Sequence, residues 1–250
     1  MSRSTAAFRR VPILLLAAAF FPLPLASQTG PEAAPPPRFH AGLSLAVAQP
    51  VGEFDDYVDV GGGAMGFFRV SLDEQGIAAL RVHAGFLNYG NETKRVCLSE
   101  TVGCRIEVDL TTSNNIFLLG LGPELGIPLG AARLYGGASI GLSWFSTDSH
   151  IEGSSDEDPF ASTTNYSDGG FAWTAGGGIE ITVAHARQMP ISIDFGLSYQ
   201  GNGKREYLTE GGITDLPDGS IELDVHRSEA DFLLWRLGAS IGFSPGGAPG

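Results

Sequence analysis

After its N-terminal stretch the sequence has no apolar run of about 18 residues, so it offers no transmembrane helix for a mature chain. Basic residues are scarce. Fifteen Lys and Arg stand against 28 Asp and Glu, a net charge of −13, which makes nucleic acid a poor partner. There are two cysteines, Cys97 and Cys104, too few for a disulfide-built scaffold or a thiolate metal cluster. Neither a His-Glu-x-x-His pair nor a phosphate-binding loop occurs. These shortages leave no cofactor or metal to expect, and no enzyme is expected.

Glycine is abundant instead, with 35 in 250 residues, about twice ordinary usage. It lies inside alternating segments, where it calls for a reason such as a narrow interior or close backbone approach. Eight such segments can be traced, at about 39–48, 61–72, 77–88, 113–127, 134–146, 171–184, 191–201 and 232–243. Side chains on a strand alternate faces with period two. In 134–146, Leu134, Ala138, Ile140, Leu142 and Trp144 share one parity. Tyr135, Gly137, Ser139, Gly141, Ser143 and Phe145 share the other. The same division runs through every segment, with a greasy parity opposite one dominated by Gly, Ser, Thr and Ala.

Segment lengths suit strands tilted across a bilayer, which need roughly 9–11 residues. Connections alternate as well. Asp73 to Gly76, Pro128 to Arg133 and His185 to Pro190 form short turns, and the other connections are long and polar. Short turns at one end and long loops at the other are expected of an outer-membrane barrel. The expected fold is therefore all-β, an eight-stranded antiparallel up-and-down transmembrane β-barrel over 39–243. A soluble ligand-binding barrel would show the reverse pattern, greasy inside and polar outside.

Six charges fall on the small-residue parity: Arg69, Arg81 and Arg236, with Glu124, Glu180 and Asp194. A charge facing lipid is costly, so these residues should point inward and pair. The expectation is a balanced salt-bridge network that plugs the interior, with His40 and His83 on the same parity. A narrow channel for ions or small solutes is the rival reading of the same charges.

Residues 1–27 read as a secretory signal, with Arg3, Arg9 and Arg10 ahead of an apolar core at Val11 to Phe21. Residues 28–38 read as a Pro-rich linker and 244–250 as a flexible tail. The long loops concentrate the acid. Residues 147–170 hold six acids and no base, including Asp156-Glu157-Asp158, without the spacing of a dedicated calcium site. In a secreted chain Cys97 and Cys104 are expected to form a local disulfide. His150 and His226, with Ser149, Asp148 and Asp224 nearby, are the material for the other rival, a lipid-modifying enzyme at the rim.

Three local features carry a family resemblance. One is Gln49-Pro50-Val51-Gly52-Glu53-Phe54 leading to Gly61-Gly62-Gly63. Another is Leu121-Gly122-Pro123-Glu124-Leu125 followed by Leu134-Tyr135-Gly136-Gly137. The third is the last strand, with Arg236, Gly238, Ile241 and Phe243 in the places of an assembly signal. On these the chain resembles the small eight-stranded outer-membrane β-barrel proteins, the outer membrane protein A-like group. It departs from that group in its tail after Phe243, since such proteins usually stop at the aromatic residue. The resemblance implies a location in the outer membrane of a diderm bacterium. It also implies outer-membrane lipid and the outer-membrane assembly machinery as partners, and a structural or surface-interaction role. It names no extracellular ligand.

Overall fold

The structure, a computed structural model, describes residues 36–97, 107–153, 161–186, 189–216 and 220–244. Eight strands close into an antiparallel barrel: β1 (Phe39–Pro50), β2 (Gly61–Ser71), β3 (Ala78–Cys97), β4 (Glu107–Leu129), β5 (Ala132–Gly153), β6 (Ala161–Ala186), β7 (Met189–Gly201) and β12 (Phe232–Phe243). Each pairs with its sequence neighbour, β7 with β12, and β1 closes the ring on β12, with Phe39 opposite Phe243 and Pro50 opposite Phe232. Closure leaves no unpaired edge for lipid to face, which is what allows strands to cross a bilayer. A short 3-10 helix (Gly52–Asp56) follows β1, and β8 (Lys204–Tyr207), β9 (Ile213–Asp215), β10 (Ile221–Leu223) and β11 (His226–Glu229) form two small ribbons between β7 and β12.

The greasy parity faces outward. Leu43, Leu45 and Ile140 are 68%, 74% and 65% exposed, whereas Ser44, Ala46 and Ser143 on the other parity are buried. A monomeric soluble protein rarely shows a contiguous apolar surface of this extent. Aromatic rings border the band. Phe39 and Phe68 stack at 5.9 Å and Phe39 and Phe243 at 5.8 Å at the turn end. Toward the loop end Trp173 stacks on Tyr199 at 5.4 Å, and Trp235 lies 6.4 Å from Phe195. From Trp235 to Phe243 a strand rising ~3.4 Å per residue at a ~40° tilt covers roughly 20 Å of depth, close to the height of a lipid-facing band between aromatic girdles.

Three expectations need correction. Strands β3 to β6 extend well past the expected ends, to Cys97, Glu107, Gly153 and Ala161. Their ladders continue above the other strands, with Cys97 opposite Glu107 and Ile151 opposite Ala161, so they form a wall on the loop side. Polar residues such as Thr93, Thr111, Thr112 and Ser149 pair there outside the apolar band, where hydrophobic alternation gives no signal. The Pro128–Arg133 connection is tighter than expected, because Leu129 pairs with Ala132 and Gly130 takes a positive φ of 70° between them. Arg133 is thereby a strand residue opposite Glu180. The inner parity is not uniformly small either: Met65, Phe67, Leu87, Tyr135, Phe145 and Leu234 all lie on it and are buried.

Candidate functional site

The turn end of the interior is built around two carboxylates. Glu124 stands on β4 opposite Ala79 and Gly137, and Glu180 on β6 opposite Arg133 and Asp194. Arg81 donates to Glu124 Oε2 at 2.7 Å, and Arg133 donates to Oε1 at 2.7 Å. Arg69 reaches Glu124 Oε1 at 3.3 Å and Glu180 Oε2 at 2.8 Å. Ser240 donates to the other Glu180 oxygen at 2.6 Å. Arg69 and Arg81 are direct cross-strand neighbours, a like-charge pairing that is destabilising by itself. Glu124 binds both arginines and so compensates that repulsion. The pairs are buried, with Arg69 and Glu124 each 2% exposed, so every charge depends on its partner.

Of the six predicted charges, these contacts bring together Arg69, Arg81, Glu124 and Glu180. Asp194 instead accepts a hydrogen bond from Tyr135 Oη at 2.7 Å. Arg236 lies inside but has no carboxylate within 4.0 Å among the described residues. Arg133 is the member that the sequence reading misses, because it assigns this residue to a turn; the inward parity it shares with Tyr135 is the available signal. With it, Arg69, Arg81, Arg133 and Arg236 stand against Glu124, Glu180 and Asp194 among the described residues, and the expected balance of three and three does not hold. Glycines make room for these long side chains: a Cβ at Gly126 would strike the Arg133 guanidinium, and one at Gly196 would meet Arg236 Nη2.

The loop end is closed by aromatic packing. The 3-10 helix drops Phe54 into the mouth, where it is 1% exposed. Its ring centre lies 5.1 Å from Tyr207, 6.0 Å from Tyr89, 6.1 Å from Phe145 and 6.5 Å from Phe232. Leu87, Ile116 and Phe145 form one ladder row beneath. Val51 N–H donates to Asp231 carbonyl at 3.0 Å, Glu229 N–H to Glu53 at 3.1 Å, and Tyr89 Oη to Leu208 carbonyl at 3.1 Å. These bonds tie the two loops that supply Phe54 and Tyr207 to each other and to the wall. Sequence alternation could not find this layer, because its members come from loops and from scattered inward positions.

Above the rim, Asp148 accepts from Asn115, Ser146 and Thr164, and Ser149 hydrogen-bonds Thr112 and Asn165. The Tyr166 phenol, bonded to Glu206, is pushed up to about 12. The His226 ring lies 4.6 Å from that of Tyr57, tilted against it, and 3.9 Å from Asp224. Two Gly-x-Ser-x-Gly strings, Gly137–Gly141 and Gly238–Gly242, sit in mid-strand in β5 and β12 rather than at a strand-to-helix turn, so neither is a nucleophile elbow. Cys97 ends β3, whereas Cys104 and Asp156-Glu157-Asp158 lie outside the described residues, as do the signal region and most of the tail. Of the assembly-signal positions, Arg236 and Gly238 share the inner parity of β12, while Phe243 joins the outer aromatic row. In the turn between β2 and β3, Ile77 and Ala78 N–H groups donate to Asp73 at 3.0 and 2.7 Å. Desolvation opposes the effect, yet these bonds hold the Asp73 carboxyl below its ordinary value.

Closed, narrow and greasy outside, the fold is that of a transmembrane β-barrel. Comparison with solved structures finds Ail, the attachment invasion locus protein of Yersinia pestis, at 13% identity over 83% of this chain and 99% of that one, with a TM-score of 0.44. Neisserial surface protein A is similar at 12% identity over 82% and 97%, with a TM-score of 0.43. A major outer membrane protein of Thermus thermophilus is similar at 13% identity over 82% and 99%, with a TM-score of 0.39. No protein-family model and no curated protein matches the sequence.

Proposed function

We propose that the chain is an outer-membrane surface protein of a diderm bacterium, a non-conducting barrel that holds a loop-side wall at the cell surface. The observation that carries this reading is a lumen obstructed by two unrelated layers. Arg69, Arg81, Arg133, Glu124 and Glu180 fill the turn end, and Phe54 with its aromatic neighbours fills the mouth. An ion would have to break buried charge pairs and displace packed rings, so conduction is the weaker reading of the interior. The wall formed by β3 to β6 is largely polar, and the connection from β5 to β6 beyond it carries Asp156-Glu157-Asp158, which suits contact with an extracellular partner or a repulsive coat. Outer-membrane lipid meets the greasy band. The last strand, through Arg236, Gly238, Ile241 and Phe243, is offered to the assembly machinery, and residues 1–27 direct export. A Cys97–Cys104 bond would close the hairpin between β3 and β4.

Planar-bilayer recording and fractionation test the reading together. Purified protein should give no stable open events at neutral pH, and the cellular protein should fractionate with outer membranes and run with heat-modifiable mobility. Long-lived conductance steps would overturn the closed barrel, and recovery in the soluble fraction would overturn the membrane location.

A further inference from the structure

Between the two layers lies a cavity of about 60 Å³ lined by Arg81, Arg236, His83, Tyr135 and Gln200, among others. Its guanidinium donors are only partly satisfied. Arg81 is 8% exposed, and its Nη1 is spent on Glu124 while its buried Nη2 has no hydrogen-bond partner. Arg236 also lines the cavity, pairs with no carboxylate among the described residues, and has a buried Nε without a hydrogen-bond partner. Asp194, outside the Glu124–Glu180 cluster, accepts from Tyr135. A guanidinium inside a membrane barrel is costly without a counter-charge, and charge-assisted donors of this kind favour a compact anion. Among the described residues, Arg69, Arg81, Arg133 and Arg236 outnumber Glu124, Glu180 and Asp194 by one, an excess that a monovalent anion would balance.

The geometry points to a small monovalent anion, chloride being the first candidate, held in the lumen between Arg81 and Arg236 as a structural counter-ion. The volume has room for an ion with a few waters and none for a large solute.

Crystals of the protein grown in bromide test this directly: an anomalous peak in the cavity beside Arg81 and Arg236 is expected, and a cavity holding water alone would overturn the proposal. Thermal unfolding in detergent, compared in chloride and in gluconate at equal ionic strength, gives a second measurement. Saturating chloride should raise the midpoint by about 3 °C in the unmodified protein, and the difference should vanish in Arg236→Gln. Equal midpoints in the two salts, or the same chloride effect retained by Arg236→Gln, would sink the idea. Should that variant not fold, the bromide measurement on the unmodified protein decides.

Discussion

At the turn end of the lumen three guanidinium groups converge on one carboxylate; at the loop end one phenyl ring sits among four other rings. Both layers fill a narrow cross-section, but they fail differently when disturbed. An ionic layer is directional, and each member is satisfied only by named partners. An aromatic layer is held by area and shape, and its loss leaves a void rather than a bare charge. The charged layer belongs wholly to strands whose register is fixed by closure. The aromatic layer depends on loops that must first cross the mouth.

Removing the shared acid should produce the largest effect. Glu124→Gln leaves Arg69, Arg81 and Arg133 crowded without their common anion, a loss of about 3–5 kcal/mol. Urea unfolding in lipid vesicles reads it, and a change below about 1 kcal/mol would mean the arginines find other partners. Phe54→Ala should cost about 3 kcal/mol and loosen the mouth, so the 202–231 connection should become protease-sensitive while the turn-end bonds persist. If Phe54→Ala instead exposes both ends equally, the two layers are not separable. On the lipid face, Leu121→Arg should cost about 2–4 kcal/mol by the same vesicle assay. A negligible effect there would contradict the outward parity.

The smallest effect concerns Asp73. Its carboxyl is depressed in the folded turn, so its contribution is fully present above its unfolded pKa and is lost as pH falls through the lower folded value. Asp73→Asn should therefore narrow the gap between stability at neutral and acid pH without altering the lumen; an unchanged pH profile would argue against the turn bonds.

The outward and inward assignment of each barrel strand is legible in the sequence, because lipid on one side and a narrow lumen on the other impose opposite demands at every second residue. The inward position of Arg69, Arg81, Glu124, Glu180, Asp194 and Arg236 follows from that rule. Which charge meets which does not. Arg133 reads like a turn residue because Pro128 and Gly130 sit close to it in the chain, and only the Leu129–Ala132 pairing makes it a strand neighbour of Glu180. Arg236 reads like a pairing member because the count balances without Arg133. Asp194 reads as available for pairing, but Tyr135 on another strand donates to it.

The sequence alone determined the strand number, the parity and the apolar band, since each depends on local spacing against two fixed environments. The tertiary structure decided the register around the ring and, through it, the choice of Glu124 as the common partner. It also decided the wall above the membrane, where Val96, Val108, Leu110 and Ile151 are scattered among polar residues and period two carries little contrast, and the descent of Phe54 onto residues from distant strands. These are contacts between residues far apart in the chain, and barrel closure rather than local pattern brings them together.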